Sequence, residues 1–528
     1  MKHFLLIAVL IITFRLCNDE NTLHFNLSKH NTLRINLGTE PPTIDWSKAT
    51  DTSSSFITTN IMEGLTQFDF TDGINMKPAL ATSWTSSDSQ NWVFNIRKGV
   101  LWSDGVELTA QHFIEGWERV LNPLTASQYA NYLYTLVNAK EYNEGKLTDF
   151  TQVGIKAIDK YTLHIQLKTP MAYFPKMLAH SVTFPNRADV ISKYGDDKWA
   201  RAGNIVTLGA YYIHTWKHDE VMYLKRNENY YQPAKIEHVL VYMLKEHSVG
   251  ISMIDTEALD VQFGLPKIGI QMIKQRSDYH STPNLGISFI DINTSKAPYN
   301  DVMFRRALAY AIDRSEIIKI LGDSGETATN NLIPPGLLGH DESIGIEFDV
   351  DKARDILTKA GYDLNNMPTI SYSYNADETN KMMAENLQAQ LKRNLNIRVK
   401  LYNEEWKAYL NTLKTNNYGL YRMGWISDYP DPNDFAGLML SYSGNNRSKW
   451  VNEEYDRLVD TAAGESNIDK RLSLYKSSQD ILLAKDVPLI PLHTYSVTAL
   501  ISPRINNFPI NAMRVFPLKI VEIQPIDK

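Results

Sequence analysis

Short stretches that alternate apolar and polar residues fill the chain from Thr32 to about Tyr230. Leu33-Arg34-Ile35-Asn36-Leu37, Trp92-Val93-Phe94-Asn95-Ile96-Arg97 and Thr162-Leu163-His164-Ile165-Gln166-Leu167 each repeat with period two, which predicts half-buried strands. Lys98-Gly99 marks a turn after the second of these. Between the second and third, Phe113, Trp117, Val120 and Leu121 share one helical face, and Thr109 is placed to cap that helix. After about residue 300 the period changes. Leu308, Ala311, Ile312 and Ile318 predict a long helix over Asp301–Leu321, with Asp313 and Glu316 at capping-box spacing inside it, so a break is expected there. Asp349–Ala360 reads as a helix closed by Gly361. Thr369–Tyr374, Ile397–Leu401 and Tyr418–Met423 read as strands between helices, the order expected of an α/β domain.

The length of 528 residues suggests two to four domains. At 43% hydrophobic and 22% charged, the composition is that of a globular protein with ample core material. The net charge of -6 argues against nucleic acid as the main partner, which would need a basic surface. Lys2 and His3 precede an apolar run from Phe4 to Phe14, about half of a bilayer span, with the proportions of a secretory signal. The single cysteine, Cys17, follows it and cannot form an internal disulfide. Two readings stand. Cys17 is either a lipid-attachment site, although Phe14-Arg15-Leu16 fits such a site badly, or part of a plain signal cleaved nearby. No other apolar stretch approaches spanning length, so the remainder is expected to be soluble.

Signatures of catalysis are missing. The sequence has no H-E-x-x-H, Walker A loop, G-x-G-x-x-G or G-x-S-x-G. Gly322-Asp323-Ser324-Gly325 is read as a turn after a helix, because nothing nearby supplies a base for the serine. His340-Asp341-Glu342 is read as a loop, since three adjacent residues seldom converge on one ion. Asp428, Asp431 and Asp434 are interrupted by Pro430 and Pro432 and lack the glycine and glutamate of a calcium loop.

Several ordered stretches carry a likeness instead. They include Ala79-Leu80-Ala81-Thr82-Ser83-Trp84, then Trp92 to Val100, Trp102-Ser103-Asp104-Gly105 and Leu108-Thr109-Ala110. Further along come Asn204 to Tyr211, Lys225-Arg226-Asn227, Ala297-Pro298-Tyr299-Asn300-Asp301-Val302, Glu404-Glu405-Trp406 and Gly424-Trp425-Ile426-Ser427-Asp428-Tyr429. From about Leu33 to the C-terminus the chain resembles the bacterial extracellular solute-binding proteins of peptide ABC importers, in their oligopeptide-binding branch.

The resemblance implies an α/β protein of the type II periplasmic-binding-protein fold, with three domains in two lobes, a hinge and a ligand cleft. By this likeness 1–17 is the signal sequence. Domain I takes 18–64, 189–283 and 496–528, domain II takes 65–188, and domain III takes 284–495. The implied function is capture of short peptides for a permease, without catalysis or cofactor, by a monomer in the periplasm. Membrane association would come only through the permease or an N-terminal lipid on Cys17. Asp428 stands where the family binds the peptide ammonium. Gly424 precedes the Trp425 that would wall a side-chain pocket, and Trp406, Tyr129 and Tyr495 align with residues of the site. Glu40 falls in the segment that pairs with peptide backbone, and Arg422 matches a basic site position.

A receptor for varied peptides must grip what all peptides share, so strand-like pairing and a fixed carboxylate for the ammonium are the expected chemistry. Two further positions that are basic in relatives read here as Asn380 and Leu413, with Lys414 beside the latter. Either the length preference has changed or recognition of the C-terminus is looser. The competing readings are a receptor for another solute (a metal chelate, haem or a sugar), a peptide-binding chaperone and a peptidase.

Overall fold

A computed structural model of the chain describes residues 27–322, 324–415 and 418–524. The signal reading and Cys17 fall outside them. A ten-stranded mixed sheet is the frame, with strands in the order Arg398–Glu404, Thr369–Asn375, Leu420–Ile426, Tyr279–Ile292, Leu489–Ile501, Val261–Phe263, Thr32–Asn36, His238–Tyr242, Val221–Arg226 and Tyr211–Lys217. Two of these strands are much longer than the rest, Tyr279–Ile292 with 14 residues and Leu489–Ile501 with 13. They pair antiparallel and tie the two halves of the sheet together.

Their ladder breaks in the middle. Pro283 pairs with Ser496 and Ile287 with Thr494, so four residues on one strand advance against two on the other. The backbone freed by this bulge finds other partners, with the Leu285 N–H donating to Ala512 and the Leu285 carbonyl accepting from Ser427. Gly286 is required here, because a Cβ would lie 2.4 Å from the Asn284 side-chain oxygen and 3.0 Å from the Trp425 carbonyl.

A separate four-stranded antiparallel sheet runs Ala81–Thr85, Asn91–Ile96, Thr162–Gln166, Ile155–Asp159. The helix Ala110–Leu121 packs on it, burying Phe113, Trp117, Val120 and Leu121 as the apolar spacing predicts. Its Thr109 N–H donates to His112 Nδ1. The region predicted as one interrupted helix is two, Val302–Ala311 and Arg314–Leu321, each capped by an aspartate, Asp301 and Asp313. The capping box expected at Asp313 does not form. Asp313 accepts from Ser315, and Glu316 pairs with Arg393 instead.

One hydrophobic core joins the Thr32–Asn36 half of the main sheet to the four-stranded sheet and continues into Phe435, Leu438, Tyr455 and Tyr475. A second core fills the Thr369–Asn375 half. Between the two halves lies a cleft.

Candidate functional site

The strand Leu420–Ile426 forms one wall of the cleft. On one side it pairs along its whole length with Tyr279–Ile292. On the other it pairs with Thr369–Asn375 only at Leu420 and Tyr421. From Arg422 to Ile426 the second edge therefore has no strand beside it among the described residues, and it is this stretch that lines the cleft. The space enclosed is about 330 Å³, within the range of small-ligand sites. Leu37, Thr39 and the segment 49–53 face it from the opposite lobe, and Trp406, Tyr409 and Leu413 of the helix Trp406–Thr415 form the floor.

Asp428 lies just past the end of that strand, and its position is fixed from both directions. The Ser427 N–H donates to the Leu285 carbonyl and the Ser427 hydroxyl to the Tyr429 carbonyl. Three residues on, Asp431 caps the helix Pro432–Ala436 and takes a bidentate pair from Arg471, at 2.9 and 2.7 Å. Tyr429 is buried and stacks on Tyr173 at 5.9 Å. The Asp428 carboxylate, 13% exposed, enters the cleft with His180 Nε2 3.4 Å from one oxygen. Its other oxygen is buried and among the described residues has no hydrogen-bond partner, although the Tyr129 phenol is close enough to feel the carboxylate. His180 Nδ1 accepts the Val182 N–H, so the neutral ring carries its proton on Nε2, toward Asp428. A carboxylate in this setting is suited to a cationic donor from a ligand.

Asp434 lies beneath. It accepts from the Asp428 N–H at 3.0 Å and from Trp425 Nε1 at 3.1 Å. Burial, and then the Asp428 charge, push its carboxyl well above the ordinary value. Tyr129 stacks on His180 at 4.9 Å and on Trp425 at 6.2 Å, closing this end with aromatic surface. Burial and the Asp428 charge raise its phenol well above the usual range.

At the other end of the strand the charges are positive. Arg422 Nη2 donates to the Tyr495 hydroxyl at 2.7 Å. Gly424 lets Tyr495 approach, since a Cβ there would lie 2.1 Å from the phenol oxygen. Arg447 and Arg514 line the same cleft. Arg447 bridges to the four-stranded-sheet unit by donating to Gln128 at 3.1 Å.

Seven of the eight candidate site residues thus face one cavity: Tyr129, Trp406, Arg422, Gly424, Trp425, Asp428 and Tyr495. Glu40 does not. Its carboxylate turns away to His218 Nδ1 and the Asp219 N–H, while the neighbouring Thr39 lines the cleft. Leu413 is in the floor, Lys414 beside it is exposed, and Asn380 is hydrogen-bonded to Asn375. His180, Arg447 and Arg514, which line the same cleft, and Asp434, which lies beneath Asp428, escaped the sequence reading as site groups. A lone histidine and arginines in irregular loops carry no periodic signal, and Asp434 was weighed only as a calcium ligand. Of the other motifs, Asp341 pairs with Lys476 and caps the turn at Ser343, and His340 Nδ1 contacts the Ile333 carbonyl. Among the described residues no group of histidine, cysteine and carboxylate side chains could hold a metal ion.

Comparison with known proteins places this arrangement. The family model of the bacterial extracellular solute-binding proteins, family 5 (middle region), matches residues 75–447. The periplasmic oligopeptide-binding protein OppA of Escherichia coli is 32% identical over 495 residues, covering 91% of this chain and 90% of its own. The crystal structure of Haemophilus influenzae OppA in complex with RPPGFSPFR superposes with a TM-score of 0.89 at 28% identity, over 94% of this chain and 100% of the other. The unliganded open form of the murein tripeptide-binding protein MppA covers as much, 94% and 98%, at 27% identity, yet reaches only 0.65. The lobes therefore stand closer to the peptide-complexed arrangement than to the open one. The fold is the type II periplasmic-binding-protein fold, three domains in two lobes about a hinge, and the chain belongs to family 5 of the bacterial extracellular solute-binding proteins.

Proposed function

We propose that this chain is the substrate-binding receptor of an ABC peptide importer, capturing short peptides between its lobes and catalysing nothing. One observation carries the reading. Among the described residues, Asp428 presents a buried carboxylate oxygen without a hydrogen-bond partner just past a strand edge, Arg422–Ile426, that has no strand beside it. A peptide added along that edge would satisfy its main-chain groups whatever its side chains, while its ammonium meets Asp428 and gives the bound chain a direction. Trp425 and Tyr129 would flank the first side chain. Glu40 would contribute through the backbone of its segment, since its carboxylate is engaged elsewhere.

The hinge falls in this reading at 283/284 and 495/496, where the two long strands lose register. Domain I then comprises 18–64, 189–283 and 496–528, domain II 65–188 and domain III 284–495. The receptor works as a monomer in the periplasm and delivers its ligand to permease subunits. Among the described residues no helix is long and apolar enough to cross a membrane. Attachment would come through the permease or a lipid on Cys17.

The test is to identify, by mass spectrometry after mild denaturation, what the protein carries through purification, and then to titrate it with free and N-acetylated peptides. Short peptides should be recovered, and acetylation should weaken binding strongly. Recovery of only haem, a metal chelate or another non-peptide solute overturns the reading, and equal affinity for acetylated peptides removes Asp428 from its role.

A further inference from the structure

A second cavity, of about 730 Å³, lies at the place where the two long strands lose register. That volume is in the range of small-molecule sites. Pro283 and Asn284 of one strand and Thr494 and Tyr495 of the other form part of its wall. The loop 325–331 forms another part, and it is laced to the strand. The Thr327 N–H donates to Thr494 Oγ1 at 3.0 Å, and the Thr494 N–H returns to the Thr327 carbonyl at 2.8 Å. Tyr495 belongs to both cavities. It lines this one and also the cleft, where its hydroxyl accepts from Arg422.

The buried polar groups of the lining are acceptors. Asn331 and Asn284 are only 1% and 3% exposed. Nδ2 of Asn331 donates to the Asp341 carbonyl, and Nδ2 of Asn284 to the Ala512 carbonyl. A carbonyl cannot donate, so each amide has its nitrogen engaged and its oxygen left over. Among the described residues neither oxygen has a hydrogen-bond partner, and nor does Oδ1 of Asn330 in the same lining. His340 Nδ1 also faces a carbonyl, that of Ile333, which makes Nε2 of the neutral ring one more acceptor. Buried acceptors without donors are costly, and N–H groups of a guest would remove that cost.

The exposed rim adds negative charge. Glu342 and Glu347 line the cavity from there, and among the described residues neither makes an ion pair. Phe348, 43% exposed, stands at the same rim and offers a ring face to a cation. Arg314 does not reverse this balance. Burial lowers it to about 10, the Asp313 charge acts against that shift, and its guanidinium is spent on the Pro491 and Ile312 carbonyls. Among the described residues no cluster could hold a metal ion, so an organic cation is the complement.

We propose that this cavity is a site for a small organic dication bearing N–H donors, of the alkyl diamine or polyamine kind, and that its occupancy favours the closed lobes. The site itself is independent of the peptide-receptor reading, whereas the effect on closure rests on it. The cavity has its present shape in a lobe arrangement nearer the peptide-complexed relative than the open one. A guest that needs this shape binds that arrangement better and shifts the population toward it. By reciprocity the guest then tightens peptide binding, and peptide tightens the guest.

The probe is hexamethylenediamine, and hexamethonium is the control with the same chain and charge but no N–H donor. Peptide-saturated native protein and the double variant Glu342→Gln/Glu347→Gln are titrated with each by calorimetry at constant ionic strength. Native protein should take up one equivalent of the diamine with peptide in place, at least about tenfold more tightly than hexamethonium. The double variant should bind the diamine at least about tenfold more weakly than native. Both substituted side chains are exposed, so its Tm and its peptide affinity without diamine should match native, which separates loss of the site from loss of the fold. Saturating diamine should tighten peptide binding at least about threefold in native protein and leave the variant unchanged. Diamine displaced by peptide would lie at Asp428 and overturn the second site. Equal binding of hexamethonium, or a double variant that keeps native affinity for the diamine, would overturn it too. Peptide affinity indifferent to the diamine overturns the effect on closure. Failure of every peptide to bind overturns the receptor reading, and titration of the free protein with diamine then still decides the second site.

Discussion

The two ends of one strand present opposite chemistry. At the Asp428 end, two carboxylates share a pocket walled by Tyr129, His180 and Trp425, and the nearest basic group is a histidine 3.4 Å away. At the Arg422 end, Arg422 donates to the Tyr495 hydroxyl, Arg514 lines the same cleft, and the Asp377 charge acts on Arg422. Among the described residues neither Asp428 nor Arg422 sits in a lysine or arginine to carboxylate ion pair. In a folded core each charge would be matched by a partner, as Asp260 is by Arg34 and Arg504 and as Asp431 is by Arg471. The contrast is between charges that hold the fold together and charges that the proposed reading assigns to a guest.

The largest effect should come from the acidic end. In the proposed reading, Asp428→Ala removes the counter-charge of the ligand ammonium and leaves that ammonium buried without it. Breaking one partner of such a pair costs about 3–5 kcal/mol. Calorimetry should show peptide affinity falling by two to three or more orders of magnitude, about what that energy corresponds to. The native protein should lose a similar amount with N-acetylated peptides. A loss below about tenfold would mean that the ends are not specialised as described.

Gly424→Ala tests the basic end without touching a charge. A methyl group there would lie 2.1 Å from the Tyr495 oxygen. The ring must shift, and with it the hydrogen bond that aims Arg422. Overpacking of this kind costs about 1–3 kcal/mol. Peptide affinity should fall, with a modest drop in Tm. An unchanged affinity would mean that the position of the Tyr495 ring does not matter to the cleft.

How far the two ends were legible in the sequence follows the same division. The acidic end sits in Gly424-Trp425-Ile426-Ser427-Asp428-Tyr429, a contiguous stretch with a family likeness, so Asp428 could be singled out before any coordinates. The regular elements were legible for a related reason. Period-two and helical spacing gave Asn91–Ile96 and Ala110–Leu121 to within a residue or so, because one face of each is buried. The basic end is assembled from residues far apart in the chain, on a strand, a long crossover strand and an irregular loop. No local pattern announces that 422 and 495 meet or that 514 lines the same cleft. Glu40 shows the opposite failure. Its position in the chain was informative, but the direction of its side chain depended on His218, which is 178 residues away.

Proton linkage offers a smaller effect. Asp434 has its carboxyl raised by burial and by the Asp428 charge. A carboxyl whose folded pKa is raised stabilises the fold below its ordinary value of 3.8, and that contribution is lost as pH climbs through the raised value. Asp434→Asn keeps an acceptor for Trp425 Nε1 and the Asp428 N–H but cannot ionise. The variant should therefore be more stable than the native protein at neutral and higher pH, with the gap closing toward pH 4 in thermal melts. A gap that widens on acidification would show that Asp434 is stabilised as the anion, contrary to its burial beside Asp428.

The smallest effect is expected at Glu40, which separates position in the chain from presence in the site. Its carboxylate is 21% exposed and pairs with a His218 that is 71% exposed. Pairs this open to water contribute about 0–1 kcal/mol, and salt screens them further. Glu40→Gln retains an oxygen for the Asp219 N–H, so the loop should keep its course and Thr39 should still face the cleft. Peptide affinity in the variant should stay within about fivefold of native, roughly 1 kcal/mol, at low and high salt alike. A loss comparable to that of Asp428→Ala would mean that the Glu40 side chain swings into the cleft when a peptide arrives. The ammonium would then be shared between two carboxylates from opposite lobes, and the division of the cleft into one acidic and one basic end would have to be redrawn.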